Sequence, residues 1–220
     1  MTPKICVSIL PRNIGEALKL IEQAEESRAD FVEVRLDCLD TDSDLVVLAA
    51  DRKTPLIATD KSRKDEAEHR AILLNAAKSG FKFVDADLST QKLKSTISEI
   101  KASGAKCIVS FHDYNGSRSL LDLNSILKKE ISEGADVCKI VTTAKQIEDN
   151  LTLLQFTAEN STKAKIVCFA MGELGKTSRL LSPVFGGFFT FAALEIGNET
   201  APGQMTLREM MAAYELLGLK

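Results

Sequence analysis

The chain has 220 residues, enough to bury roughly 70% of its unfolded surface in one large domain or two small ones. With 45% hydrophobic and 27% charged residues it has the balance of a soluble globular protein, and a net charge of −3 is too weak and of the wrong sign for a nucleic-acid binder. No stretch approaches the ~20 apolar residues of a membrane span, and the opening MTPKICVSILPRN is too short in its apolar part for a signal peptide, so a cytoplasmic protein without membrane contact is expected.

Short apolar runs rich in Val, Ile and Phe alternate with longer stretches of helical periodicity. The expected strands are ICVSIL (5–10), FVEVRLD (31–37), PLIATD (55–60), FKFVDADL (81–88), KCIVSFHD (106–113), DVCKIVTT (136–143), KIVCFAM (165–171) and GFFTFAAL (187–194). The first helix is capped by Asn13 with Glu16 as its partner, carries the apolar stripe Ile14, Ala17, Leu18, Ile21 and Ala24, and ends near Ser27. A helix from about Arg118 runs through Leu120, Leu121, Leu127 and Ile131. The last is expected to open near Gln204 and to place Leu207, Met210, Met211, Tyr214 and Leu217 on one face, as core and not as cofactor contacts. Eight strand-helix units of about 27 residues, with no linker between them, predict a single α/β domain over 1–220, a parallel eight-stranded (β/α)8 TIM barrel. An open doubly wound sheet is the alternative; ILPRNIGEAL, with one glycine after the first strand, argues against its dinucleotide site.

The five cysteines (Cys6, Cys38, Cys107, Cys138, Cys168) form no CxxC pair and no metal-spaced cluster. They read as small buried hydrophobes in a reducing compartment.

In such a barrel function belongs to the C-terminal ends of the strands. Alternation puts Glu33, Arg35 and Asp37 on one face of the second strand, as a site or as a structural ion pair. Ser110 and His112 share a face at the end of the fifth; His112 is either a structural histidine or a general acid-base. The other histidine, His69, sits in the polar DEAEHR and is expected to be solvated. Lys139 interrupts the apolar CKIV on the adjacent strand. A buried ammonium must be paired, with Glu33 or Asp87, or be neutral and nucleophilic toward a carbonyl. After the seventh strand, MGELGKTSR supplies Arg179, whose planar fork suits a carboxylate. After the eighth, GNETAPGQM can fold over a ligand. The residues alone suggest a small carboxylated ketone held by Arg179 and attacked by Lys139.

VEVRLD, VSFHD, CKIV, MGELGKTSR and TAPGQM, in this order, resemble the type I 3-dehydroquinate dehydratases over essentially the whole chain. The resemblance implies a cofactor-free barrel catalysing the syn dehydration of 3-dehydroquinate to 3-dehydroshikimate in aromatic amino acid biosynthesis, in an enzyme commonly dimeric. It implies Lys139 as the Schiff-base lysine and His112 as general acid and base. Arg179 stands for the carboxylate arginine, Thr200 and Gln204 for the closing loop, Glu33 and Arg35 for contacts to the ring hydroxyls, and Ser8 for a further contact. Where many members carry an arginine and then Glu-Gly-Gly, this chain has ATDKSRKDEAEHR. Lys61 aligns with the arginine, Asp65 with the glutamate, and Asp65, Glu66 and Asp87 are all candidates to orient His112. Two other readings are a class I aldolase or transaldolase-like enzyme, disfavoured by loops without a phosphate-binding pattern, and a catalytically silent barrel acting as a binding module, which predicts loss of the lysine or histidine.

Overall fold

The computed structural model describes residues 2–40, 44–62 and 65–219, so Arg63 and Lys64 of the DKSRKDEA stretch lie outside the described residues. The strands are β1 (Ile5–Ile9), β2 (Phe31–Arg35), β3 (Leu56–Thr59), β4 (Phe83–Asp87), β5 (Lys106–His112), β6 (Val137–Thr143), β7 (Ile166–Met171) and β8 (Thr190–Ala193). The helices are α1 (Ile14–Glu26), α2 (Leu45–Ala49), α3 (Glu66–Lys78), α4 (Leu93–Ala102), α5 (Leu120–Glu133), α6 (Asp149–Asn160), α7 (Lys176–Leu181) and α8 (Leu207–Leu216). The strand order β7-β6-β5-β4-β3-β2-β1-β8 is parallel at each of its pairings. Across the remaining seam, the Phe188 N–H just before β8 donates to Ile166 O on β7 at 2.7 Å. The result is a nearly closed (β/α)8 barrel.

Local chemistry sets the element ends. At the start of α1 the Asn13 side chain accepts from Glu16 N–H at 2.9 Å, and Glu16 accepts in turn from Arg12 N–H at 2.8 Å. Ala17, Ile21 and Ala24 form its buried stripe. Helix α5 opens on a Ser119 cap and stops at Gly134, whose φ of 102° a side chain would resist. Helix α8 begins at Leu207, not near Gln204, because Thr206 and Glu209 form a reciprocal capping box. Gln204 is thereby left in the preceding loop.

Alternation sorts the strand residues into two layers. Val7, Val32, Val34, Val84 and Val109 face outward toward the helices, whereas Cys6, Phe31, Ile57, Phe83, Ile108 and Val137 fill the barrel interior. Two positions further along the same six strands stand Ser8, Glu33, Thr59, Asp85, Ser110 and Lys139, all buried. A period of two carries these side chains to the same inward face, one layer nearer the C-terminal rim. Burying each large apolar side chain below them is worth about 1.5–3 kcal/mol, and that layer is the floor on which the polar ring rests.

Candidate active site

Lys139, in the middle of β6, pairs in register with Ser110 on β5 and Val167 on β7 and is 4% exposed. Its Nζ donates to Asp85 Oδ2 at 2.8 Å, lies 3.6 Å from Glu33 Oε1, and sits 4.4 Å from the centre of the Phe191 ring. Burial alone would depress the ammonium's pKa, but Asp85 and Glu33 outweigh it and hold the value above the ordinary lysine range. The resting lysine is therefore a paired ammonium. Its tighter partner is Asp85, which the sequence reading passed over. Of the two partners expected, Glu33 is present, and Asp87 instead lies beside Lys61, at 3.8 Å.

Asp85 is the hub of the polar ring. Ser110 Oγ donates to its Oδ1 at 2.6 Å, and Lys61 Nζ stands 3.5 Å from the same oxygen. Burial would raise its pKa, yet Lys139, Lys61 and His112 hold it well below the usual carboxylate range. Glu33 is as fully engaged, accepting from Ser8 Oγ and from Thr59 Oγ1 at 2.8 Å. Arg35 is locked to Asp37 by two bonds of 2.8 and 2.7 Å, and Asp37 Oδ1 also accepts the Lys61 N–H at 3.2 Å.

His112 closes β5, two positions beyond Ser110 on the same inward face. Its Nδ1 is 3.9 Å from Asp87 Oδ2, too far for a direct hydrogen bond, and has no other partner among the described residues. The ring of Tyr114 stacks over it, with centroids 6.1 Å apart. Burial pushes its pKa down, the cations Lys61 and Lys139 push the same way, and Asp87 only partly offsets them. The imidazole is thus neutral near neutral pH, as a base must be. Of the three acids considered for orienting it, Asp87 is near. Asp65 caps α3 by accepting from the Ala67 and Glu68 N–H groups, and Glu66 accepts from Gln91 N–H. His69 is not free in solvent: its Nδ1 meets the buried Asp60 Oδ2 at 2.9 Å, because α3 turns this position inward.

Arg179 lies on α7, 1% exposed, with its guanidinium 4.4 Å from the Phe169 ring centre and Nη2 donating to Pro202 O at 3.4 Å. Burial depresses its pKa to about 10. A buried guanidinium with no carboxylate opposite it among the described residues is a ready anion receptor. The loop 194–205 is folded down on the rim. Gly172 N–H donates to Pro202 O at 3.0 Å, and the Thr200 N–H and Oγ1 donate to Gln204 Oε1 at 2.6 and 3.2 Å. Gly203, at φ 71°, packs so closely that a Cβ there would lie 2.1 Å from Gly172 O.

Together these groups line one cavity of about 220 Å³. Ser8, Glu33, Arg35, Lys61, His112, Lys139, Arg179, Thr200 and Gln204, singled out from sequence, all reach it. Asp85 lies just beneath and was missed, although alternation along FVDAD puts it on the same face as Asp87.

The family model for type I 3-dehydroquinase matches residues 5–220. The chain belongs to the type I 3-dehydroquinase family. It is 36% identical over 219 residues to a Dehalococcoides mccartyi 3-dehydroquinate dehydratase, spanning 96% of this chain and 95% of that one. Against the 3-dehydroquinate dehydratase of Methanococcus maripaludis it is 32% identical, over 97% of this chain and 99% of the other. The crystal structure of the Geobacillus kaustophilus 3-dehydroquinate dehydratase superposes with a TM-score of 0.89 at 24% identity, covering 98% of this chain and 91% of that one, which speaks to the fold. Within this type I 3-dehydroquinase, Lys61 is the departure noted from sequence, and the structure puts its amine between Asp85 and Asp87.

Proposed function

We propose that this cavity dehydrates 3-dehydroquinate to 3-dehydroshikimate, the hydro-lyase step of the shikimate pathway, with Lys139 as the imine-forming nucleophile. The observation that carries the reading is a buried lysine at the floor of the bowl, with a histidine one layer above on the neighbouring strand and a buried arginine under the lid. Arg179 takes the substrate carboxylate. Ser8, Glu33, Arg35, Lys61, Thr200 and Gln204 supply polar contacts around the ring, and the lid excludes water.

Chemistry starts when Lys139 gives up a proton to His112, its amine adds to the C3 ketone, and the histidine returns the proton to the departing carbinolamine hydroxyl. Loss of water then leaves a protonated imine. That cation withdraws electrons from C2, and His112 removes the C2 proton, turning the iminium into a neutral enamine and the imidazole into an imidazolium. The imidazolium protonates the departing C1 hydroxyl, and hydrolysis of the conjugated imine frees the product. No metal or organic cofactor enters these steps. Sodium borohydride added with 3-dehydroquinate should fix a mass adduct on Lys139 while enone absorbance reports turnover. Turnover with an unmodified lysine would overturn the imine route. A cytoplasmic homodimer belongs to the same proposal, and sedimentation of the purified chain at twice its monomer mass is the expected result. Among the described residues, no helix is long and apolar enough to cross a membrane.

A further inference from the structure

Lys61 stands between two carboxylates and is held closely by neither. Its Nζ is 3.5 Å from Asp85 Oδ1, 3.8 Å from Asp87 Oδ2 and 3.3 Å from Ser110 Oγ. Its backbone, by contrast, is fixed. The Lys61 N–H donates to Asp37 at 3.2 Å, and the preceding Asp60 is tied to His69 and to Ser62. A pinned main chain thus carries a flexible stem whose charge has two destinations.

The proposed reaction moves charge across that gap. Before the C2 proton leaves, the cation is on the Lys139 nitrogen, facing Asp85. Afterwards the C–H electron pair forms the C2=C3 bond, the former iminium electrons return to nitrogen as a lone pair, and the proton rests on His112, beside Asp87. Net charge is unchanged, but its position is not. Asp85 loses its nearest cation at the moment Asp87 gains one, and a buried carboxylate stripped of its partner is strongly unfavourable.

We propose that Lys61 is a shared counter-ion that closes further on Asp85 and leaves Asp87 as the reacting charge passes from Lys139 to His112, and relaxes to its shared position as the histidine is discharged. The proposal rests on the reading of Lys139 as the imine lysine and His112 as the base. Lysine suits the task because its ammonium is a compact charge on a flexible stem, whereas an arginine fork would settle on one carboxylate. Lys61 in this role is a positioning residue. It acts through the two aspartates at enamine formation, beyond the polar contact it offers the substrate ring.

The test compares the intact protein with Lys61→Met and Lys61→Arg. The readouts are borohydride trapping at Lys139, kcat, KM and the kinetic isotope effect for substrate deuterated at the abstracted C2 position. For Lys61→Met, trapping should persist, kcat should fall on the order of 10²-fold, the scale for removing one preorganised electrostatic group, and the isotope effect should rise, beyond any rise in KM from the lost ring contact. Lys61→Arg, which keeps the charge and serves if the methionine variant does not fold, should show the same pattern with a smaller loss. A rise in KM with kcat and isotope effect unchanged would reduce Lys61 to a binding contact and overturn the proposal. So would a fall in kcat without a larger isotope effect. Failure to trap Lys139 in the unsubstituted protein is a different result: it would remove the imine reading itself, whatever the lysine variants do.

Discussion

Two successive layers of the same barrel interior do opposite work. The lower layer, with Phe31, Ile57, Phe83, Ile108 and Val137, is dry and held by area burial and ring packing, Phe31 meeting Phe83 edge-on at 5.8 Å and Phe189 at 4.8 Å. The layer two residues later holds Glu33, Asp85 and Lys139 as a charged network in which each side chain is already engaged. A strand tolerates this because a displacement of two positions keeps the side chain inward. The change of chemistry falls within about 7 Å of chain. Stability and reactivity are stacked, not mixed, so substitutions should separate them.

The largest separation is expected for Lys139→Ala. Turnover and borohydride-fixed adduct should both vanish, which mass spectrometry with an enone assay will check. His112→Ala should still form the adduct but turn over ~10²- to 10⁴-fold more slowly, the usual contribution of general acid-base catalysis, and near-normal turnover would remove it from the proton path. In the lower layer, Phe31→Ala should cost about 3–5 kcal/mol in denaturant unfolding while kcat of the protein that stays folded is unchanged. A kcat loss there would show that the layers are coupled. Gly203→Ala should chiefly raise KM, since the added Cβ meets Gly172 O and the lid must lift. The smallest effect concerns pH. Because burial and two ammoniums favour neutral His112, the acid limb of kcat/KM should fall below the ordinary histidine value of about 6.5, and should move up toward it in Lys61→Met, which removes one of those cations.

Sequence periodicity carried most of the barrel, since alternation and helix caps are local properties. It also brought Lys139 and His112 onto adjacent strands. What it missed depended on stagger. Which of Asp85 and Asp87 reaches Lys139 is set by the tilt and shear of the closed sheet, a global quantity that no single strand contains. His69 was misjudged for a related reason, because the rotation of α3 against β3 decides whether that face meets solvent or Asp60. The start of α8 was placed early, as Gln204 precedes the Thr206 cap that opens the helix.

The Lys139–Asp85 pair also determines what the enzyme ignores. Small aldehydes and sugars condense with unprotonated amines, whereas Asp85 and Glu33 hold Lys139 as an ammonium at rest. Lys139 should therefore resist glycation more than the exposed surface lysines do, and peptide mapping after incubation with glycolaldehyde will measure it. The ion pair serves as chemical insulation, removed only for a guest that fits.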